Sequence, residues 1–251
     1  MSVEPLLRVE NLVKVFPGGV RAVDGVSFEM SPGEVVALVG PNGAGKTTTF
    51  RIIATLLKPS SGRVLIEDVD VVKDPLEARK RLVFVPEEVG GYRQLTGLEY
   101  IEFAVRVHLG ARGASEDEIR RAVREAVELT GLDRSTLRRK MGEYSKGMKR
   151  RVQVAWALAV KPRLVILDEP TGGLDVEASY KLRMLIREYA RREGVAVLLS
   201  SHNMLEVESV ADRVYLMRSG RIVASGRPSE IIERVGARNL EEAYMKLVGV
   251  M

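Results

Sequence analysis

A glycine-rich loop between a short apolar run and a helical pattern restricts the fold of this chain more than any other feature. Residues 40–47 read GPNGAGKT and match the pattern G-x-x-x-x-G-K-[ST]. The apolar run VVALV precedes the loop at 35–39, and TTFRIIATLL follows it at 48–57. A strand, a phosphate-binding loop and a helix in this order predict an α/β nucleotide-binding core.

The loop predicts contacts to a nucleoside triphosphate. Glycines let successive backbone N–H groups point inward and surround phosphate oxygens. Lys46 would reach the β- and γ-phosphates, and the Thr47 hydroxyl would bind Mg²⁺. A glycine-rich turn that merely caps a helix is the alternative, and the flanking strand and helix favour nucleotide binding over it. The predicted phosphate-binding residues are Gly40, Pro41, Asn42, Gly43, Ala44, Gly45, Lys46, Thr47 and Thr48.

Two carboxylates end a second apolar run, LVILDEP at 164–170. A strand that is buried on both faces has such a continuous apolar sequence, and ligands of α/β proteins bind at the carboxyl ends of strands. Asp168 would hold the metal, and Glu169 would polarise an attacking water molecule. The alternative is a polar strand end followed by a proline turn. The phosphate loop earlier in the chain favours the catalytic interpretation.

Short β-branched runs alternate with longer helical patterns, which predicts a mostly parallel sheet with flanking helices. The first and last runs alternate polar and apolar residues, as antiparallel strands do. Helical periodicity replaces the strand pattern between the two halves of the sheet. The predicted strands are LLRVENLVKVF, VSFEM, EVVALV, GRVLIEDVDV, RLVFVP, RLVILDE, VAVLLSS and RVYLMRSGRIVASG. We predict one domain over 1–251, with a nucleotide-binding core and antiparallel β subdomain at 1–91 and 152–227, an inserted helical subdomain at 92–151, and a helical tail at 228–251.

Composition excludes several classes of protein. The chain has no cysteine, so disulfides and thiolate metal sites are excluded. We find no signal-peptide pattern at the N-terminus, and runs such as VVALV are too short to cross a bilayer. The net charge of +5 arises from interleaved acidic and basic residues. Because mixed charge at helical spacing is typical of an ion-paired, solvated surface, we expect no nucleic acid partner.

Five motifs together resemble those of the ATPase subunits of ABC transporters. They are GPNGAGKTT, YSKGMKRR at 144–151, LVILDEP, TGGLD at 171–175 and SSH at 200–202, in the family's order. The resemblance implies a P-loop NTPase (RecA-like) core with an antiparallel β subdomain and an inserted helical subdomain. It also implies an ATPase that uses ATP and Mg²⁺ and powers separately encoded transmembrane permease subunits. Such a subunit would lie peripherally on the cytoplasmic face of the cell membrane.

The motif YSKGM at 144–148 resembles the family's signature Leu-Ser-Gly-Gly-Gln. In the family, this element closes on the γ-phosphate of a nucleotide held by a second subunit. The resemblance therefore implies a dimer, with an identical chain or a close homologue, in which Ser145 and Gly147 contact the partner's nucleotide. Lys146 and Met148 replace the commoner Gly and Gln and resemble the branch that serves ABC-2-type exporters. An ordinary helix start with Ser145 as N-cap is the alternative.

Four further positions match residues with roles in the family. Asp175 resembles the loop that crosses the dimer interface, although it would also suit a helix N-cap. His202 would face the γ-phosphate and contact Glu169, and histidine changes protonation near physiological pH. Phe16 would stack on adenine, with core packing as the alternative. Glu87 stands where the family usually has a glutamine that reaches the metal, and a carboxylate still offers oxygen to Mg²⁺.

Two other functions remain open at this stage. One is a soluble ABC ATPase that acts without a permease, and the other is a regulatory nucleotide-binding module without turnover. Glu169 argues against the module, because a site without turnover commonly lacks the base. A neighbouring gene for a multi-span membrane protein would favour transport over the soluble alternative.

Overall fold

The computed structural model describes residues 4–88 and 92–250. The strands are β1 (Leu7–Val15), β2 (Arg21–Met30), β3 (Val35–Val39), β4 (Ser61–Ile66), β5 (Val69–Asp70), β6 (Leu82–Val85), β7 (Leu164–Leu167), β8 (Ala196–Ser201), β9 (Arg213–Arg218) and β10 (Arg221–Gly226). The helices are α1 (Lys46–Ile53), α2 (Pro75–Arg81), α3 (Gly97–Gly110), α4 (Glu116–Thr130), α5 (Arg134–Leu137), α6 (Lys146–Ala159), α7 (Val176–Glu193), α8 (Met204–Val210), α9 (Pro228–Val235) and α10 (Leu240–Leu247). A single 3₁₀ turn, Met141–Glu143, precedes α6.

The larger of two sheets has six strands in the order β10-β9-β3-β8-β7-β6. Neighbouring strands from β9 to β6 pair in parallel, and β10 pairs antiparallel with β9. The strands β3, β7 and β8 are buried along their whole length. Their continuous apolar sequences follow from this position, because a central parallel strand has no solvent-facing side. The α/β fold predicted from the sequence is confirmed.

The two faces of the central sheet contribute to different cores, and β3 shows the division. Its residues Val35, Ala37 and Val39 belong to a cluster with helices α3 to α7. Val36 and Leu38 point to the opposite face and pack with α1 and the antiparallel sheet. The alternation follows from the two-residue period of a strand. The central sheet thus packs against a helical layer on one face and against a β layer on the other.

The smaller sheet is antiparallel, with the order β2-β1-β4-β5. Two predicted strands are each divided in the structure. GRVLIEDVDV forms β4 and β5 around a turn in which Glu67 and Asp68 have φ of 47° and 66°. RVYLMRSGRIVASG forms β9 and β10 around Ser219 and its following glycine, with φ of 48° at Ser219. The sequence pattern predicts each run as one strand. The first turn contains no glycine, and the Ser-Gly pair of the second, which is a turn signal, was not used to divide the run.

Helices α3 to α6 form the helical segment between β6 and β7. Capping boxes begin α3 and α4, with Thr96 and Ser115 as N-caps, which satisfies backbone N–H groups at each start. Helix α6 continues without a break past residue 151 to Ala159 and packs against α4, β6 and β7. It therefore joins the helical segment to the core as one rigid element. Residues 89–91, at the end of the first predicted core segment, lie outside the described residues.

The tail has two helices, α9 and α10, and Asn239 caps α10 by accepting a hydrogen bond from the Glu242 N–H at 2.9 Å. Tyr244 and Leu240 are buried in the same core cluster as α7, and the Tyr244 hydroxyl donates to the Met217 carbonyl of β9 at 3.4 Å. Within residues 4–88 and 92–250, no helix has both the length and the apolar character that crossing a bilayer requires.

Candidate functional site

The phosphate loop connects β3 to α1 and is packed so closely that two of its positions require glycine. A Cβ at Gly40 would lie 2.3 Å from the Met217 carbonyl oxygen, and a Cβ at Gly45 would lie 2.4 Å from the Ala22 carbonyl oxygen. Gly45 also has φ of +103°, which L-residues rarely adopt. In the loop, Pro41, Asn42 and Gly43 are exposed, Gly40, Ala44, Gly45 and Lys46 are buried, and Thr47 and Thr48 are half-buried.

Lys46 begins α1, and its side chain folds back into the loop. Its ammonium donates hydrogen bonds to the carbonyl oxygens of Gly40 (2.7 Å) and Pro41 (3.2 Å). It also lies 3.7 Å from the Glu169 Oε1 atom, and both side chains are less than a tenth exposed. The positive charge is therefore fixed inside the loop, at the N-terminus of a helix whose dipole also favours an anion.

The acidic pair follows β7, and a buried serine of β8 fixes it. The Ser200 hydroxyl donates to Asp168 Oδ1 at 2.6 Å and accepts from the Glu169 N–H at 2.9 Å. Ser200 and Asp168 are 0% and 1% exposed, so water cannot replace the hydroxyl. Sequence analysis included Ser200 in the SSH motif at 200–202 but gave it no role in the site. A serine within the apolar run of a buried strand was the available signal, because a buried hydroxyl needs partners.

Glu169 and His202 meet at the end of the central sheet. His202 Nδ1 lies 2.9 Å from Glu169 Oε2, and the imidazole is more than half exposed while the carboxylate is buried. Glu169 has φ of 48°, a left-handed conformation that costs about 1–2 kcal/mol in a non-glycine residue. Lys46, Glu169 and His202 thus come from three elements and form one connected polar chain. Its exposed end is His202.

The predicted metal ligands fit a cation that also has a phosphate ligand. In the described part of the chain, no cluster of three or more His, Cys, Asp or Glu side chains forms a metal cage. Mg²⁺ commonly takes one or two carboxylates, with phosphate oxygens and water completing its shell. Thr47, half-buried at the start of α1, and Asp168 have oxygen atoms of this kind. Glu87 is exposed in the segment after β6.

A buried arginine connects the Glu87 segment to α6, the helix that follows the signature serine. Sequence analysis did not identify this arginine. Arg150 in α6 donates to the carbonyl oxygens of Pro86 at 2.7 Å and Glu87 at 2.5 Å. Burial lowers the pKa of the Arg150 guanidinium, and the negative charges of Asp168, Glu87 and Glu169 oppose this shift. In sequence, Arg150 is one of several basic residues beside the signature motif, so its burial was not apparent.

The signature motif lies at the start of α6. Ser145 is its N-cap, and the Ser145 Oγ atom accepts from the Met148 N–H at 3.2 Å. A Cβ at Gly147 would lie 3.4 Å from Leu174, and a Cβ at Gly173 would lie 2.8 Å from the Lys146 ammonium. The motif therefore packs against the TGGLD segment of the same chain. Ser145 remains exposed at the surface.

Asp175 and Phe16 are both accessible. Asp175 caps α7 by accepting a hydrogen bond from the Ala178 N–H at 2.8 Å. Asp175 is nevertheless exposed. Phe16 is 37% exposed, and the Lys14 ammonium lies 5.3 Å from its ring centre. An aromatic ring with this exposure is not a core residue.

The family model described as "ABC transporter" matches residues 23–172. The ABC transporter ATP-binding protein NatA of Bacillus subtilis (strain 168) is 36% identical over 231 residues, which cover 91% of this chain and 92% of NatA. This match includes most of the chain on both sides of the helical segment.

Solved structures agree with this result. A chain described as the ATP-binding subunit of an ABC transporter has a TM-score of 0.84 and 32% identity, and the match covers 97% of this chain and 99% of that one. The ATP-binding cassette MJ0796, in a dimeric post-hydrolysis state with ADP and Pi, has a TM-score of 0.79 and 26% identity over 88% of this chain and 98% of its own. With its phosphate loop, acidic pair and whole-chain similarity, this protein belongs to the ATP-binding subunits of ABC transporters.

Proposed function

We propose that two copies of this ATPase subunit, or one copy and a close homologue, enclose two Mg-ATP molecules and hydrolyse them. The observation that carries the proposal is the connected chain of Lys46, Glu169 and His202 at the mouth of the phosphate loop. A buried base beside a fixed ammonium suits attack of water on a γ-phosphate.

Each residue has a distinct proposed role. Lys46 and the loop N–H groups hold the β- and γ-phosphates, and Thr47, Asp168 and Glu87 hold Mg²⁺. The ion would neutralise charge on the transferring phosphoryl group. Glu169 orients water and takes its proton, and His202 fixes the Glu169 carboxylate. Ser145 and Gly147 of the second copy complete the site, Asp175 connects the two sites, and Phe16 stacks on adenine.

The work of the cycle is transport by a separate membrane permease, and we propose export. Dimer closure and separation would move permease subunits that hold the chain at the cytoplasmic face of the membrane. Lys146 and Met148 in the signature support the export assignment. Isolating the native complex in mild detergent distinguishes transport from a role without a permease. A copurifying multi-span protein supports transport, and its consistent absence supports a soluble role.

The test is the Glu169→Gln variant. We expect ATP turnover to fall by about 10²–10⁴-fold, as for loss of a general base, because the amide cannot accept the proton. We also expect a dimer to accumulate with ATP, measured by mass in solution. Glu188→Gln is the matched control, because Glu188 is an exposed glutamate of α7. Turnover at the wild-type rate in Glu169→Gln, or a persistent single copy with ATP and the permease, would contradict the proposal.

A further inference from the structure

Arg150 has an unusual environment for a positive charge. It is 1% exposed, and among the described residues it has the largest of the fully buried side chains. Its hydrogen-bond partners are the carbonyl oxygens of Pro86 and Glu87 rather than a carboxylate. Removing a guanidinium from water costs several kcal/mol unless its surroundings compensate it. Such a residue is therefore held in a single geometry by the groups around it.

The two bonded carbonyls are consecutive and belong to the segment that contains a proposed metal ligand. The guanidinium is a rigid planar fork, so it fixes the path of the backbone at Glu87 as well as the position of α6. The residues are 63 positions apart in sequence, so tertiary contacts alone set their relative position, and this hydrogen bond is one of them. A displacement of the Glu87 backbone would therefore carry the Arg150 guanidinium with it.

The same helix carries the signature serine. Ser145 is the N-cap of α6, and Arg150 lies in the second turn. A helix moves as a rigid body over this distance, and coupling between sites travels through such packed elements. A continuous path thus leads from the Glu87 side chain, through Arg150, to Ser145 at the surface.

We propose that Arg150 is a positioning residue that makes α6 move together with the Glu87 backbone. Mg-ATP bound at the phosphate loop of one copy then sets the position of Ser145 of that copy, which contacts the nucleotide held by the second copy. The inference rests on the proposed function, because it assigns the coupling between the two halves of that site. The Arg150 guanidinium bonds backbone carbonyls, so its proposed role is to position α6 and not to bind nucleotide or metal.

The neighbouring Arg151 is a matched control. It also binds two consecutive backbone carbonyls, those of Thr130 (2.8 Å) and Gly131 (2.9 Å). Those carbonyls end α4, within the helical segment. Arg151 therefore supports the local structure of the segment but does not connect it to Glu87. Arg150→Lys and Arg151→Lys each keep one positive charge and disturb a contact to two consecutive carbonyls, but only Arg150→Lys disturbs the contact to Glu87.

The experiment uses the full chain with Glu169→Gln, so that ATP is bound but not consumed. We expect Arg150→Lys to raise the ATP concentration that gives half-maximal dimer by about tenfold, within the range of coupling between sites. ATP affinity of the single copy should change by less than about twofold, because Arg150 is buried and bonds backbone carbonyls. Arg151→Lys should leave the half-maximal concentration at its parent value. Combining Arg150→Lys with Glu87→Ala should add little to Glu87→Ala alone, because both changes break the same path.

Hydrogen exchange gives a second readout that does not require an Arg150 variant to fold. Glu87 is exposed, so Glu87→Ala preserves the core. At protein concentrations where the chain stays a single copy, Mg-ATP should slow exchange in the first turn of α6 in the parent and not in Glu87→Ala. Equal slowing in both chains would overturn the inference, as would equal dimerisation of the Arg150→Lys and Arg151→Lys chains. A parent that never dimerises with ATP would instead contradict the proposed function.

Discussion

Removing the hydroxyl of Ser200 tests whether a buried hydrogen-bond pair holds the acidic end of β7. In Ser200→Ala, Asp168 loses a donor at 2.6 Å and the Glu169 N–H loses its acceptor at 2.9 Å. A hydrogen bond to a charged group contributes about 1.5–3 kcal/mol, and a neutral one about 1 kcal/mol. Because Ser200 is 0% exposed, no water compensates, and we expect the free energy of unfolding to fall by about 3 kcal/mol.

The assay is urea unfolding, followed by the fluorescence of Trp156, the single tryptophan of the chain. Ser201→Ala is the matched control in the same strand. The Ser201 hydroxyl accepts from the Asn203 N–H at 2.9 Å and donates weakly to the Asn203 carbonyl at 3.3 Å. Because both groups are neutral, we expect a loss of about 1 kcal/mol. A loss in Ser200→Ala no larger than in Ser201→Ala, with unchanged denaturant dependence, would refute the reasoning.

Two further predictions concern the phosphate loop and acid stability. Gly45→Ala should lower both the unfolding free energy and ATP affinity far more than Gly43→Ala, because only the Gly45 Cβ would meet a carbonyl oxygen, that of Ala22 at 2.4 Å. Thermal unfolding and nucleotide titration measure the two effects. Equal effects of the two substitutions would contradict this prediction. Burial, with a smaller contribution from a nearby arginine, lowers the pKa of His108 to about 4. The unfolded chain then binds more protons between pH 4 and 6.5, so acidification from pH 7 to 5 should cost the wild type about 2 kcal/mol more than His108→Gln. His202 is present in both chains, and parallel pH profiles would exclude the effect.

The phosphate loop and the acidic pair were predictable because each is contiguous in sequence. Lys46 and Thr47 follow the glycines at fixed spacing, and consecutive N–H groups of one loop surround a phosphate without help from distant residues. Asp168 and Glu169 end an apolar run, and this position alone predicts the edge of a sheet where ligands bind. Their functional roles remain predictions.

The partners of those residues could not be predicted in the same way. Ser200 reaches Asp168 across 32 positions of sequence, and Arg150 reaches Glu87 across 63. A serine in an apolar run and an arginine in a basic cluster have many possible environments. Their burial depends on which strands and helices become neighbours, and sequence spacing does not encode this.

The sequence by itself determined the order of strands and helices, the phosphate loop and the family, because these depend on local periodicity and contiguous motifs. The tertiary structure decided that β3 separates two cores, that Lys46, Glu169 and His202 form one chain, and that Arg150 connects Glu87 to α6. The physical reason is burial: once water is excluded, each polar group must find a partner in the fold, and the fold determines which partner is within reach.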